Sequence, residues 1–394
     1  MRASEFIIGQ EHALRALEGA LSSGRLAHCY VFAGAEGTGK RTLALALAKS
    51  LQCETGRSRG DEALGEPEFC GECPACRQIE ARCHPDVLVW ADRPRVAWWS
   101  SGRSPRIYSG PLAMEEARQL REEMSLTPTL GSRKIVIIDQ ADEMDTEPAN
   151  SLLKTLEEPP GQRVIILLVE NPGRLLPTIL SRAEVVRFGL VSDEVIHRWL
   201  AAVIPGVEDE SLWRAVTFAG GRPGWAHFFA LNPGVLEAME GALQALVGLA
   251  SSDPYAVFWA PGILQAAARE WQRLRGDGES GKALPASDDE EEPADAGSGE
   301  GQVARECLPP LLNAVLASLR RITLGGQSEA ECRKGWELPE HLDAAFYAGL
   351  VPAVEKLLKR LAANVNVPLL LQAFCLEVAA LGRKHSPEDV RAGK

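Results

Sequence analysis

Short apolar runs alternate with helical patterns along the first half of the chain. Five runs are rich in β-branched residues and almost wholly apolar, rather than alternating apolar with polar positions. Strands that are buried on both faces of a parallel sheet have this pattern. Helical spacing between the runs fits the crossover connections of such a sheet, which predicts a doubly wound α/β domain over residues 1–188. The predicted strands are 29–33, 86–90, 134–139, 164–169 and 185–188, and the predicted helices are 41–51, 114–124 and 147–156.

From residue 189 onward the pattern is helical alone, because apolar residues recur at intervals of three and four. We expect a small helical domain over 189–250 and a larger all-α domain over 251–394. The amphipathic helices of the larger domain suit either contacts between subunits or the core of an ordinary bundle. The segments with helical spacing are 193–203, 212–219, 253–275, 303–324 and 340–382.

Charge is distributed unevenly along the chain. Residues 276–302 contain nine acidic residues and one lysine, which is −8 of the formal net charge of −12. This stretch has almost no apolar content, so we predict a disordered, solvated insertion. A functional acidic tail is the alternative. The total of −12 argues against tight DNA binding by the chain alone, since neutralising phosphates requires Lys and Arg. Because only −4 lies outside this stretch, a DNA contact would have to be local or shared with partner subunits.

The N-terminal residues show no secretory signal, and no stretch reaches the 18 or more uncharged apolar residues of a membrane helix. We therefore expect a cytoplasmic protein with no membrane contact.

A phosphate-binding loop follows the first predicted strand. Gly34, Gly37, Gly39 and Lys40 have the spacing G-x-x-x-x-G-K between a strand and a helix. Such glycines let backbone N–H groups surround phosphates, and the lysine reaches the outer phosphates. This pattern predicts an ATP or ADP site.

Two positions needed for ATP hydrolysis are altered. The residue after the P-loop lysine should carry a hydroxyl that binds magnesium, but Arg41 is there and Thr42 comes one position late. Asp139 ends a buried strand and could hold magnesium through water, or it could simply cap the next helix. The residue after it is Gln140, whose amide cannot act as a general base. Asp142 lies two residues further along and is not expected to replace that base.

Four of the nine cysteines form a compact cluster in the sequence. Cys53 follows the P-loop helix, and Cys70, Cys73 and Cys76 are spaced C-x-x-C-x-x-C. Four thiolates suit a tetrahedral structural Zn²⁺, so we predict a zinc module at about 53–76. A redox pair is the alternative, and Cys83 beside a histidine could compete as a ligand.

A zinc module inserted after a P-loop helix, together with three further stretches, resembles the clamp-loader subunits of bacterial DNA polymerase III, which are AAA+ proteins. The resemblance covers about residues 5–190, and the helical remainder matches more loosely. It implies that 189–250 is a helical lid and 251–394 a helical collar that holds subunits in a ring. The stretches are 8–10 with 25–28, 150–160 and 176–182.

The resemblance also implies roles for single residues. Arg182 is in the position of an arginine that reaches the ATP of the neighbouring subunit, although it could instead pair with Glu184. Asn171 is about where the family has its first sensor residue. The lid arginine of the motor subunit is missing, because its position corresponds to Gly224. Arg222 precedes a proline and is not expected to replace it.

These features predict a subunit that does not hydrolyse ATP itself and assists clamp loading onto primed DNA. Its implied partners are the gamma/tau motor subunits, the delta subunit and the sliding clamp, in a ring of five. The alternatives are an active AAA+ ATPase, which Lys40 and Asp139 permit, and an independent zinc-dependent DNA-binding protein, which the acidic charge opposes.

Overall fold

The computed structural model of the protein forms two compact units. The first contains residues 1–199 and 221–224, and the second contains 200–220 and 225–394. The structure describes residues 1–57, 67–90, 114–131, 133–157, 162–249, 255–276, 344–361 and 366–384, with seven helical positions between 308 and 319.

A five-stranded parallel sheet is the centre of the first unit. Its strand order is β2-β3-β4-β1-β5, so the first strand in sequence lies between the fourth and the fifth. All four strand pairs are parallel, and the predicted strands are confirmed with ends shifted by one residue at most. The strands are β1 (Cys29–Ala33), β2 (Val87–Trp90), β3 (Lys134–Ile138), β4 (Arg163–Val169) and β5 (Glu184–Arg187).

Helices cover both faces of this sheet. The three helices predicted for this region are confirmed as α2, α5 and α6, each within one residue of its predicted ends. The helices up to residue 180 are α1 (Glu11–Ser22), α2 (Lys40–Gln52), α3 (Glu54–Arg57), α4 (Pro74–Glu80), α5 (Met114–Ser125), α6 (Thr146–Glu157) and α7 (Pro177–Leu180).

Alternate residues of the central strands belong to two separate cores. Phe32 and Ile137 pack with Leu47 of α2 on one face, whereas Val31 and Val136 pack with residues of α5 on the other. Every residue of β1, β3 and β4 is buried. Burial on both faces explains why these strands are apolar rather than alternating, apart from Lys134 and Arg163 at the starts of β3 and β4.

The second unit is helical over the residues that the structure describes. Helix α8 (Asp193–Val203) begins in the first unit and ends in the second. Within the second unit α11 contacts α12, α12 contacts α14, and α13 contacts α14. The helices that follow α8 are α9 (Asp209–Ala219), α10 (Pro223–Leu231), α11 (Pro233–Gly248), α12 (Ala256–Gly276), α13 (Ala344–Leu361) and α14 (Val367–Lys384).

Some sequence predictions concern residues outside those that the structure describes. Except for its first residue, the acidic stretch 276–302 lies outside the described residues, as does most of the helical segment 303–324. The division into lid and collar at residue 250 stays a prediction. Of the helices that the structure describes, none has both the length and the apolarity to cross a lipid bilayer.

Candidate nucleotide and metal sites

The P-loop joins β1 to α2 and is packed closely against the end of β5. Gly37 and Gly39 have φ of 80° and 99°, which is the left-handed region that glycine adopts without strain. A Cβ on Gly34 would lie 2.4 Å from the carbonyl oxygen of Phe188. The loop therefore needs glycine at these positions to adopt the conformation seen in the structure.

The Lys40 ammonium group lies inside the loop. Its side chain is nearly buried, and Nζ donates to the carbonyl oxygens of Gly34 and Ala35, the latter at 3.0 Å. Burial lowers the pKa of Lys40, and nearby carboxylates oppose that shift. These carboxylates belong to Glu170, Asp139, Glu36 and Asp142.

Arg41 and Asp139 form an ion pair where a magnesium site would be expected. Arg41 Nη1 lies 3.7 Å from Asp139 Oδ2, and the two side chains are only 20% and 16% exposed. The other oxygen, Oδ1, accepts the backbone N–H of Gln140 at 3.0 Å. Gln140 itself has φ of 52°. Thr42 is half-buried one position along α2, so the contact to the Asp139 carboxylate comes from Arg41.

Asp142 has a structural use that the sequence did not suggest. Its Oδ2 accepts the backbone N–H groups of Asn171 and Glu170 at 2.9 and 3.2 Å. It therefore ties the turn after β3 to the turn after β4. The Asn171 amide oxygen accepts the N–H of Gly173 at 2.9 Å and so caps the short helical turn Pro172–Arg174. Its proposed sensor role stays a prediction.

Arg222 lies close to the P-loop in the structure, which the sequence analysis did not expect. It is half-buried, burial lowers its pKa, and the carboxylates of Glu36 and Glu170 oppose that shift. The neighbouring Gly224 donates its N–H to the Gly37 carbonyl oxygen at 2.8 Å. A Cβ on Gly224 would lie 3.0 Å from that oxygen. The first residues of α10 thus contact the phosphate loop through backbone, a contact that no local pattern reveals.

Arg182 is exposed just after α7. Its Nη1 donates to the Thr178 carbonyl oxygen at 3.0 Å and to Ser181 Oγ at 3.3 Å. Ile179 of α7 is fully buried and packs into the core of the first unit, which fixes the helix. The guanidinium is therefore held at the surface of the first unit by a fixed element.

The predicted cysteine cluster is brought together. The Sγ atoms of Cys53, Cys70, Cys73 and Cys76 all lie within 4.8 Å of one another. The distance from Cys53 to Cys70 is 3.6 Å and that from Cys70 to Cys76 is 4.0 Å. Four thiolates around one zinc ion, at about 2.3 Å each, stand about 3.8 Å apart. The group therefore has the right size for one tetrahedral metal ion.

Two cysteines of the cluster differ in acidity: burial raises the pKa of Cys76, whereas Cys70 favours its thiolate form. The Thr55 hydroxyl and the backbone N–H groups of Cys73 and Glu72 lower the pKa of Cys70 to about 6, despite burial. Backbone N–H groups point at two sulfurs, from Cys70 to Cys53 Sγ at 3.4 Å and from Cys73 to Cys70 Sγ at 3.3 Å. Cys83 is exposed and does not belong to the metal-binding group. Thiolates stabilised in this way are suited to holding a metal ion.

Most of the first unit matches the model of a known protein family. A family model described as "DNA polymerase III, delta subunit" matches residues 9–191. The match covers 183 of the 394 residues, just under half of the chain. The matched residues contain the P-loop, the cysteine cluster, Asp139 and Arg182.

Several curated polymerase III subunits are similar to the chain. It is 32% identical to subunit delta' of Pseudomonas aeruginosa over 236 residues, which is 59% of this chain and 66% of that protein. It is 37% identical to subunit delta' of Bacillus subtilis over 189 residues, which is 48% and 50% of the two chains. Identity to subunit tau of Escherichia coli is 36% over 200 residues, or 50% and 27%. The chain thus spans two thirds or less of the relatives that it matches.

Among solved structures, a gamma subunit-related protein of Thermotoga maritima resembles the chain with a TM-score of 0.45 at 16% identity. The match covers 95% of this chain and 100% of that one. The predicted fold class, a P-loop parallel-sheet domain of the AAA+ type followed by helices, is confirmed by the sheet and the family match.

Proposed function

We propose that this chain is a delta'-type subunit of a bacterial DNA polymerase III clamp loader that does not hydrolyse ATP itself. It would help to load the sliding clamp onto primed DNA and would present Arg182 to the ATP of a neighbouring gamma/tau subunit. The Arg41–Asp139 ion pair carries the proposal, because it engages the carboxylate on which a hydrolytic site would depend. The similarity to delta' subunits supports it.

The loss of hydrolysis follows from the chemistry of the residues after β3. A general base must accept a proton from the attacking water, and the amide of Gln140 has no group that does so at neutral pH. Asp142 is the next acid, but its carboxylate already accepts two backbone N–H groups. The P-loop is thus retained without a general base at the position after Asp139.

Arg182 suits an action in trans. It is exposed, permanently charged and held by two hydrogen bonds at the end of α7. A planar guanidinium can span several phosphate oxygens and stabilise the negative charge of a phosphoryl-transfer transition state. Arginines that act across an interface in this way raise hydrolysis rates by roughly 10³–10⁵.

We propose Zn²⁺ as the ion of the four-cysteine group. Its role would be structural, since four thiolates leave no open position for water or substrate. Cys53 directly follows α2 and Cys73 directly precedes α4. A bound ion would therefore tie the C-terminal end of α2 to the start of α4.

The test of the trans role is ATP turnover by a clamp loader reconstituted from this chain, gamma/tau and delta. We expect Arg182→Ala to leave assembly intact and to slow hydrolysis by a factor on the order of 10³ at the site it serves. Arg198→Ala is the matched control, because Arg198 is another exposed arginine of the first unit. Equal turnover by wild type and Arg182→Ala would refute the assignment.

An active ATPase is the second candidate. The retained P-loop backbone and the buried Lys40 favour it, whereas Arg41 and Gln140 oppose it. The two candidates differ in whether the chain hydrolyses ATP in the absence of its partners.

A further inference from the structure

We infer that Arg41 takes the place of the magnesium ion in this P-loop, so that the site cannot assemble a magnesium–nucleotide complex. The inference rests on the proposed function, since it concerns the same site. The excluded ligand is the magnesium ion, and the residue that excludes it is Arg41.

The two oxygens of the Asp139 carboxylate already have partners. A P-loop magnesium ion normally depends on a Ser or Thr hydroxyl after the lysine and on an acid at the end of the next buried strand. Here Arg41 replaces the hydroxyl, and its guanidinium lies 3.7 Å from Asp139 Oδ2. Asp139 Oδ1 accepts a backbone N–H. Both carboxylate oxygens therefore already have a positively polarised partner.

The positive charges around Lys40 also oppose a magnesium ion. Four carboxylates act on Lys40, from Glu170, Asp139, Glu36 and Asp142. In a hydrolytic site the metal ion balances part of this acidity. In this chain the balancing charges are Lys40 itself, Arg41 and Arg82 near Asp139, and Arg222 near Glu36 and Glu170. A divalent cation at Asp139 would meet the Arg41 charge at close range in a partly buried setting, where repulsion is screened little.

Arg41 and Asp139 both lie on or directly beside elements that the core holds in place. Arg41 is in the first turn of α2, and Asp139 directly follows the fully buried strand β3. Both side chains are at least four-fifths buried. Because the two elements are fixed by the core, the guanidinium cannot leave the carboxylate without losing packing as well as charge. The residues present do not fit a magnesium site.

The experiment measures ATP and ADP binding by the full zinc-loaded chain using titration calorimetry. It compares buffer containing magnesium with buffer from which divalent cations were removed by a resin, since a soluble chelator would also strip the cysteine cluster. We expect the two conditions to differ less than about twofold for wild type, a difference of under 1 kcal/mol. An absence of binding in both meets this expectation.

Arg41→Thr restores the hydroxyl and removes the guanidinium. We expect this variant to bind ATP at least about tenfold more tightly with magnesium than without it. Arg15→Thr, the same change at an exposed arginine of α1, should behave as wild type. The inference is overturned if wild type itself shows tenfold magnesium dependence, or if folded Arg41→Thr shows none.

A stability cycle tests the ion pair even if neither protein binds nucleotide. Arg41→Met, Asp139→Asn and the double variant are compared by thermal unfolding. A pair that exists in solution makes the double variant's loss in midpoint smaller than the sum of the single losses. Strict additivity would contradict it. Failure here while Arg182→Ala still slows the reconstituted loader would remove this inference and leave the proposed function in place.

Discussion

The carboxylate of Asp86 is completely buried at the start of β2 and organises the loop that leads into β3. Its oxygens accept the backbone N–H groups of Thr129, Leu130 and Gly131, each at 2.7 Å. Burial alone would raise the pKa of Asp86, but these three donors together bring the pKa below its ordinary value. The ionised form is therefore preferred in the folded protein.

We expect Asp86→Asn to lower the free energy of unfolding by about 1–3 kcal/mol at neutral pH, because an amide cannot accept all three bonds. A depressed folded-state pKa contributes stability above the unfolded pKa of about 4, and that stability is lost as the pH falls through the folded value. The difference between wild type and variant should therefore shrink in acid.

Urea unfolding of both proteins across this pH range measures that difference. Glu18→Gln, a carboxylate-to-amide change on the exposed side of α1, should have little effect. A constant gap between wild type and Asp86→Asn down to strongly acidic pH would show that the Asp86 charge is not what stabilises the loop.

Asp142 shows why some site residues cannot be found from sequence. Its distance along the chain from Asp139 argued against a catalytic role, and nothing local indicated what it contacts. The structure brings it to the backbone of Glu170 and Asn171, 28 and 29 residues away. Arg222 reaches the P-loop in the same long-range way. By contrast, the P-loop glycines and the four cysteines were predictable, because local spacing alone defines their chemistry.

We expect Asp142→Ala to loosen the segment after β4, since two backbone N–H groups lose their carboxylate acceptor. The stability cost should be about 1 kcal/mol, because exposed amides can bond to water instead. Hydrogen exchange of peptides covering 170–176 should become faster. Glu147→Ala, at an exposed acid in the first turn of α6, is the control. Unchanged exchange in Asp142→Ala would show that these bonds do not restrain the segment.

The sheet and three of its helices, α2, α5 and α6, were predictable from the sequence, and the reason is physical. Buried parallel strands must be apolar on both faces, so β1, β3 and β4 stand out from the helices that flank them. The cysteine cluster was equally visible, but its geometry was not. The structure adds that Cys53 and Cys76 are buried in the same core as α1 and α2. The four-cysteine group is therefore built into the core of the first unit.

We expect Cys73→Ser to reduce bound zinc from about one ion per chain. The thermal midpoint should fall markedly, because structural zinc sites contribute roughly 10–16 kcal/mol to folding in zinc-finger peptides. Metal content by mass spectrometry and thermal unfolding provide the two readouts. Cys83→Ser, at an exposed cysteine outside the group, should change neither. Full stability of a zinc-free protein would rule out the structural role.

The chain as a whole combines a family domain with a helical remainder. The family match ends at residue 191, close to the predicted end of the first domain at 188. Beyond it, helical periodicity predicted α8 correctly and placed the starts of α9 and α12 within three residues. Periodicity cannot tell helices that bury one another from helices that meet another subunit, so the collar assignment came from resemblance alone.

We propose that the P-loop of this chain does not hydrolyse ATP, whereas Arg182 acts on the ATP of a neighbouring subunit. Two residues next to Asp139 oppose hydrolysis. Arg41 forms an ion pair with its carboxylate, and Gln140 follows it directly in the sequence. Both belong to the first unit, so the absence of hydrolysis should already be a property of the chain without its partners.

Steady-state ATP hydrolysis by the purified, zinc-loaded chain alone tests this directly, with magnesium present and Lys40→Ala as the reference. We expect the wild-type rate to equal that of Lys40→Ala and of buffer. ATP turnover by the wild-type chain that disappears in Lys40→Ala would contradict the proposal and establish an active ATPase instead.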